Sequence, residues 1–261
     1  MIKTHLVIPD SHTHINDDLS RFLALGRLIV ASKPDKINIL GDFGEFGSLC
    51  YYTKPGGLER EGMRIKDDIQ ACIDAYTLLM CPVDCYNRKQ VKLRSKQYKP
   101  EVNFLEANHE YRLRRLAETD AVFEGLVDLK GHLKTVYPLN WYEYGDYAKV
   151  DGVLYTHVPF KFGSPIQSVV NTCGTALDLV DRSVVFGHTH RLEIKQKIRE
   201  GSNKLITALN AGCFFSHLPK YVEKSNPNWW RGVVLLRVDE ASGAFDIETI
   251  SLERLLAEYG V

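Results

Sequence analysis

The sequence predicts an α/β fold in which two packed mixed β-sheets are flanked by helices. Three observations carry this. The chain opens on a strand, a helix and a strand at the spacing of a parallel βαβ unit. A third apolar strand, VNFL at 102–105, follows a long helical stretch and runs into a further helix. Past residue 147 the texture changes to strands with short connections, so a second sheet has to pack on the first.

Residues 4–8 read as a short buried strand ending at Pro9–Asp10. Residues 17–32, DDLSRFLALGRLIVAS, read as a helix, with Leu19, Phe22, Leu23, Leu25 and Leu28 on an apolar side and acidic residues in the first turn. KPDK is a turn, and INIL at 37–40 is a second buried strand that ends at Gly41–Asp42. From about 58 to 98 the pattern is helical, with a break expected at Cys81–Pro82 because proline lacks the N–H. HEYRLRRLAE, from residue 109, opens another helix. YAKV and VLYTH, within 147–157, form an antiparallel pair turned at Asp151–Gly152. SVVFG, LEIKQKIR, KLITALN, GVVLLRV and AFDIETI follow as strands.

The 261 residues are 44% hydrophobic and 25% charged, which is the composition of a soluble globular chain. We expect a single domain over 1–261, with a helical, partly basic insertion at about 55–100. Lys+Arg and Asp+Glu both number 33, which argues against a protein that coats nucleic acid by charge alone. No apolar run has the length of a membrane span, and MIKTHLVIPD lacks the pattern of a signal peptide. Six cysteines without CxxC spacing read as reduced thiols, so a cytoplasmic location is expected.

The chemistry-bearing residues gather at one kind of place. Asp10 and His12 follow LVI, and Asp42 follows INIL. Asn108 and His109 follow VNFL, His157 closes VLYT, and His188 and His190 follow VVF. Sites in open α/β sheets assemble at the carboxyl ends of strands. Each piece alone has an ordinary structural explanation. Asn108 and Glu110 suit a helix N-terminus, and Gly41–Asp42 suits a turn. Five strands delivering Asp, Asn and His to one edge is harder to explain as solvated loop.

The ordered set DSH (10–12), GD (41–42), ANHE (107–110), His157 and GHTH (187–190) resembles the calcineurin-like metallophosphoesterases, in their compact bacterial and phage-type form. LNAG at 209–212 resembles the strand end that often follows. The resemblance implies the four-layer αββα sandwich of that family and a dinuclear metal-dependent phosphoesterase. It implies that Asp10, His12, Asp42 and His190 hold one divalent ion. Asp42, Asn108, His157 and His188 would hold the other, with Asp42 bridging and acting in catalysis. Mn is the expected metal, with Fe and Zn as alternatives, because nitrogen and oxygen ligands suit these ions better than Ca. The implied reaction is in-line attack by metal-bound hydroxide on a phosphomonoester or phosphodiester. His109 would assist the leaving group. Glu110 would orient His109 and raise its pKa. The ligand in DSHTH is then His12, and His14 lies at the rim.

Two positions depart from the family pattern. Ala107 stands where a glycine is usual, and Glu45 stands where a shorter acid is common. Arg112 and His14 are candidates to meet substrate, for which a nucleotide or nucleic-acid end is the expected class. The basic stretch at 87–99, with Arg88, Lys89, Lys92, Arg94, Lys96, Lys99, Tyr86 and Tyr98, fits either a phosphate grip or a solvated helix face. NPNWWRG at 226–232 fits either core anchors or a stacking platform. Two other readings compete. One is a catalytically silent scaffold that binds protein or nucleic acid, although all seven ligand positions are filled. The other is a barrel hydrolase using His12 and His14 together, which leaves GD, ANHE and GHTH unexplained.

Overall fold

The computed structural model describes residues 1–51, 54, 57, 60–160, 170–217 and 228–260. β1 (Ile2–Ile8), α1 (Ser20–Ser32) and β2 (Lys36–Ile39) form the expected unit, with β1 and β2 paired in parallel. α2 (Ile65–Lys92) returns the chain to β3 (Glu101–Leu105), which pairs in parallel with β2. α3 (Tyr111–Thr119) and α4 (Leu129–Val136) then lead to β4 (Asn140–Tyr142), parallel to β3. The second half supplies β5 (Ala148–Val150), β6 (Val153–Tyr155), α5 (Cys173–Leu179), β7 (Val184–Phe186), β8 (Leu192–Arg199), β9 (Lys204–Ala211), β10 (Gly232–Asp239), β11 (Phe245–Ser251) and α6 (Leu252–Tyr259).

The strands form two mixed sheets, ordered β11-β10-β1-β2-β3-β4 and β5-β6-β7-β9-β8. Val7, Leu40, Leu105, Val150, Tyr155, Val185, Leu209 and Leu236 are buried together between the sheets. α1, α2 and α4 bury Phe22, Leu25, Tyr76, Leu79 and Leu133 on the outer side of the six-stranded sheet. α5 buries Cys173, Ala176 and Leu177 on the outer side of the other. The result is a four-layer α/β/β/α sandwich. His5 joins the two sheets through the Tyr155 hydroxyl (2.6 Å) and the Asp151 carboxylate (2.8 Å).

The strand-rich second half builds the five-stranded sheet from β5 to β9, while β10 crosses back to pair antiparallel with β1 and brings β11 with it. Two expectations need correction. α1 starts at Ser20, so no acid lies in its first turn; Asp18 instead accepts from the Ser20 N–H at 2.9 Å. α2 is continuous through Pro82. The proline costs about 3 kcal/mol in a helix interior. Burial of Ile69, Cys72, Tyr76, Leu79 and Val83 on both sides of it holds the helix together. Gly26 of α1 lets the two helices approach, since a β-carbon there would meet the Leu79 carbonyl at 2.4 Å.

Candidate metal centre

The carboxyl ends of the strands of both sheets meet at one edge, and the sequence places its ligand candidates there. Asp10 follows β1, Asp42 follows β2, and Asn108 and His109 follow β3. His157 follows β6, and His188 and His190 follow β7. His12, Asp42, His188 and His190 have left-handed backbone, with φ of 44°, 44°, 72° and 61°. That conformation is uncommon outside glycine and persists only where the surroundings enforce it. Here short hydrogen-bonded loops do so. The N–H groups of Ser11 and His12 both donate to the Asp42 carbonyl at 2.9 Å, and the Thr189 N–H donates to the Gly187 carbonyl at 2.9 Å.

The donor atoms of the seven candidates fall into two adjoining groups, and His12, Asp42 and His109 make an overlapping third. Asp10, His12 and His190 form one, and Asp42, His157 and His188 form the other, each with its ligand-capable atoms within 4.8 Å of one another. His190 Nε2 lies 3.1 Å from Asp10 Oδ2 and 3.2 Å from His12 Nε2. His157 Nε2 lies 3.0 Å from Asn108 Oδ1, 3.2 Å from His188 Nδ1 and 3.4 Å from Asp42 Oδ2. Asp42 also sits 3.9 Å from His12 Nε2, between the two groups. The seven ligand candidates are therefore brought together, and His14 is not among them.

The protons are placed by the atoms behind. His157 Nδ1 must donate to the Leu40 carbonyl at 3.0 Å, which leaves a lone pair on Nε2. His12 Nδ1 lies 2.7 Å from the Glu45 carboxylate, a close charge contact behind the ring. Carboxylates and carbonyls behind histidines are how metal sites fix their ligands. Four imidazoles, an amide oxygen and two carboxylates converging at such distances can hold metal ions. Glu45 thus supports His12, and its extra methylene reaches the ring.

Charge in the cluster is strongly organised. Burial alone would raise the Asp42 carboxyl, but His109, His157, His12 and His188 around it hold it far below the carboxylate range. Burial also opposes ionisation of Glu45, yet His12 beside it brings Glu45 down to about 2. Burial disfavours a charged His12, and the Glu45, Asp42 and Asp10 carboxylates overcome this and push it up to about 9. His188 falls to about 4, chiefly by burial.

Glu110 does not orient His109, and His109 is not raised. The Glu110 carboxylate accepts from the N–H groups of Asp42 (3.0 Å), Phe43 (2.7 Å), Gly44 (3.1 Å) and Ala107 (3.0 Å). It clamps the Asp42 loop to the Asn108 loop. Burial and the Asp42 charge raise it to about 7. His109 Nδ1 instead donates to the Glu45 carbonyl at 2.7 Å, and its Nε2 faces Asp42 Oδ2 at 3.9 Å. Burial lowers His109 to about 4, against the pull of Asp42. Ala107 is compatible with the loop because it touches Gly41, where a β-carbon would come within 2.5 Å of the alanine methyl.

The remaining candidates are spread more widely. Arg112 spends its Nη1 on the Glu45 and Phe46 carbonyls, at 2.9 and 3.2 Å. The basic stretch lies at the far end of the strands, since it leads directly into the start of β3. Tyr86 there meets Lys33 at 2.8 Å, Tyr98 donates to the Pro34 carbonyl at 2.7 Å, and Arg88 pairs with Asp84 at 3.3 Å. Of NPNWWRG, residues 226 and 227 lie outside the described residues. Its two tryptophans divide the work. Trp230 packs against the core between the sheets, and the Trp229 ring meets His190 edge-on at 4.8 Å. Motif reading missed Phe215, whose ring contacts His12 (5.0 Å), His190 (5.1 Å) and Trp229 (5.4 Å). Nothing local in CFFSH marks it.

Fold and cluster together define an α/β/β/α chain whose clustered histidines and aspartates can hold metal ions. No family model matches the chain. It is 28% identical over 252 residues to the Gene 54 protein of Mycobacterium phage D29, an alignment covering 92% of this chain and 90% of that one. It is 27% identical over 252 residues to the Gene 54 protein of Mycobacterium phage L5, with the same coverage of 92% and 90%. Among solved structures it is similar to TT1561 of Thermus thermophilus, with a TM-score of 0.42 and 9% identity over 97% of this chain and 100% of that chain. It is also similar to Yfce, a phosphoesterase from E. coli, with a TM-score of 0.39 and 14% identity over 95% of this chain and 99% of that chain. Among the described residues no helix is long and apolar enough to cross a membrane.

Proposed function

We propose that this chain is a metal-dependent phosphoester hydrolase with a dinuclear centre. The observation that supports it most is the convergence of His12 Nε2 and His157 Nε2 on Asp10, Asp42, Asn108, His188 and His190. Asp10, His12, Asp42 and His190 would hold one ion, and Asp42, Asn108, His157 and His188 the other. Two divalent ions there supply positive charge to phosphoryl oxygens and acidify water, against only two carboxylates from the protein.

The chain's own residues do the rest. Asp42 stands between both groups with its second oxygen held by the His109 N–H at 3.0 Å, so the carboxylate is oriented in advance for ions it would hold. Glu110 fixes the loop under it. His109 is neutral with Nδ1–H committed to Glu45, so Nε2 is the atom that meets substrate. A phosphate anion arriving there favours the protonated ring, which then donates to the leaving oxygen. Phe215 and Trp229 wall the His190 side and exclude water. The substrate class we favour is a nucleotide or nucleic-acid end, approaching from the strand-end edge and not from the basic stretch of α2.

The test is hydrolysis of p-nitrophenyl phosphate and of bis-p-nitrophenyl phosphate by metal-stripped protein reloaded with Mn, beside an Asp42→Asn variant. Activity that requires both metal and Asp42 is expected, and the faster substrate assigns monoester or diester preference. Absence of bound metal and of activity would overturn the reading in favour of a silent scaffold.

A further inference from the structure

One further group of possible ligands lies outside the cluster already described. His14, Asp17 and His217 bring one ligand-capable atom each within 4.8 Å of one another. The group is organised by the backbone. The Asp17 N–H donates to the His14 carbonyl at 2.9 Å, closing a turn that sets these two residues side by side. The His217 ring meets the His14 ring edge-on at 5.0 Å. His217 Nδ1 is buried and, among the described residues, has no hydrogen-bond partner, which is costly for a polar atom.

Arg21 holds both segments that carry these residues. Its buried guanidinium donates to the Ser11 carbonyl (3.0 Å), the Asp18 carbonyl (2.7 Å) and the Phe214 carbonyl (2.8 Å). It also donates to Asp17 Oδ2 at 2.6 Å. That last bond has the form of the outer hydrogen bond that ligating carboxylates usually accept, leaving Oδ1 for a ligand. The guanidinium charge weakens attraction for a cation, yet an anion would have to face the Asp17 carboxylate. Two imidazoles and a carboxylate are a donor set for zinc and its neighbours, with a remaining position for water.

We propose that His14, Asp17 and His217 form a third divalent-cation site, of zinc-like preference, beside the dinuclear candidate. The ion ties the segment after β9 to the loop after β1. Its consequence for the neighbouring centre runs through Phe215, two residues before His217, whose ring lies on His12 and His190. The site positions that wall and touches no reacting atom.

The experiment uses full-length protein, stripped of metal, equilibrated with zinc and desalted. Bound zinc is counted by mass spectrometry, and crystals are measured at the zinc absorption edge. Wild type should show an anomalous peak among the three side chains. His217→Ala should lose that peak and about one zinc per chain, as a site of three protein ligands requires, while keeping the ions at Asp42. Asp42→Asn should keep the peak. If His217→Ala folds poorly, His14→Gln reports on the same peak. No peak in wild type, or equal zinc in wild type and His217→Ala, overturns the proposal. A rim peak with no ion at Asp42 would sustain this site and refute the dinuclear reading.

Discussion

Two stretches of the chain spell His-Thr-His, and the fold treats them differently. At 188–190 both histidines have left-handed backbone, around a tight turn closed by Thr189 N–H on the Gly187 carbonyl, and both reach the same cluster. At 12–14 only His12 has that backbone. Thr13 then runs alongside Gly44 in an isolated parallel bridge, and the chain leaves the cluster for the His14–Asp17 turn. Spacing is the same in both. Where a histidine ends up is decided by the hand of its backbone and by what its neighbour pairs with.

The largest expected effect tests this directly. His12→Ala, His188→Ala and His190→Ala should each cost more than the roughly 10–100-fold loss typical of residues behind a metal ligand. His14→Ala should cost far less, since it acts only through Phe215. The kcat/KM of the four variants and the metal bound at Asp42, measured side by side, check it. Equal losses at His12 and His14 would break the comparison and favour a site that uses both. Next in size, Glu45→Gln should lower metal affinity or activity about 10–100-fold, because it removes the carboxylate 2.7 Å behind His12. Equilibrium dialysis against Mn reads this, and an unchanged affinity would remove Glu45 from the site.

The residue before each motif sharpens the contrast. Ser11 precedes His12 with its Oγ turned back onto the Pro9 carbonyl at 3.0 Å. Gly187 precedes His188 with the Asp10 carboxylate against it, and a β-carbon there would lie 2.2 Å from Oδ1. Gly187→Ala should therefore destabilise by about 1–3 kcal/mol, as overpacking does, and displace Asp10. Urea unfolding measures the first, and metal content the second. Ser11→Gly should leave Asp10 in place and cost only about 0.5–1.5 kcal/mol for the lost hydrogen bond.

Much of this was legible from residues alone. Apolar runs such as LVI, INIL and VVF mark strands buried on both faces, and the ligand types stand directly at their ends. Asp151–Gly152 marks its hairpin because both residues need positive φ, and they have 47° and 82°. The unread parts are those set by distant partners. β10 joins β1 across more than 220 residues, and nothing within GVVLLRV says which sheet it enters. Pro82 reads as a break until Gly26 and the core beneath α2 are in place. β4, of three residues, is too short to show a period. Glu110 looks paired with its neighbour His109 in sequence, but three of its four N–H donors come from the Asp42 loop, which only the fold brings over it.

The smallest effects lie at the threonines between the histidines, and they separate the two motifs again. Thr189 Oγ1 accepts from Asn210 Nδ2, and Asn210 is fully buried. Thr189→Val leaves that amide without its partner, at a cost of about 1–3 kcal/mol. Thr13 Oγ1 donates to the Phe43 carbonyl at 2.8 Å, but that carbonyl also accepts the Thr13 N–H at 2.9 Å. Thr13→Val therefore removes a donor and strands only the weakly polar Cys72 thiol, 3.6 Å from Oγ1, and should cost only about 0.5–1.5 kcal/mol. Thermal or urea unfolding of the two variants ranks them. A Thr13→Val loss as large as that of Thr189→Val would mean that the bridge to Gly44 depends on the hydroxyl. The departure of the chain toward His14 would then be set by a side chain as well as by the backbone.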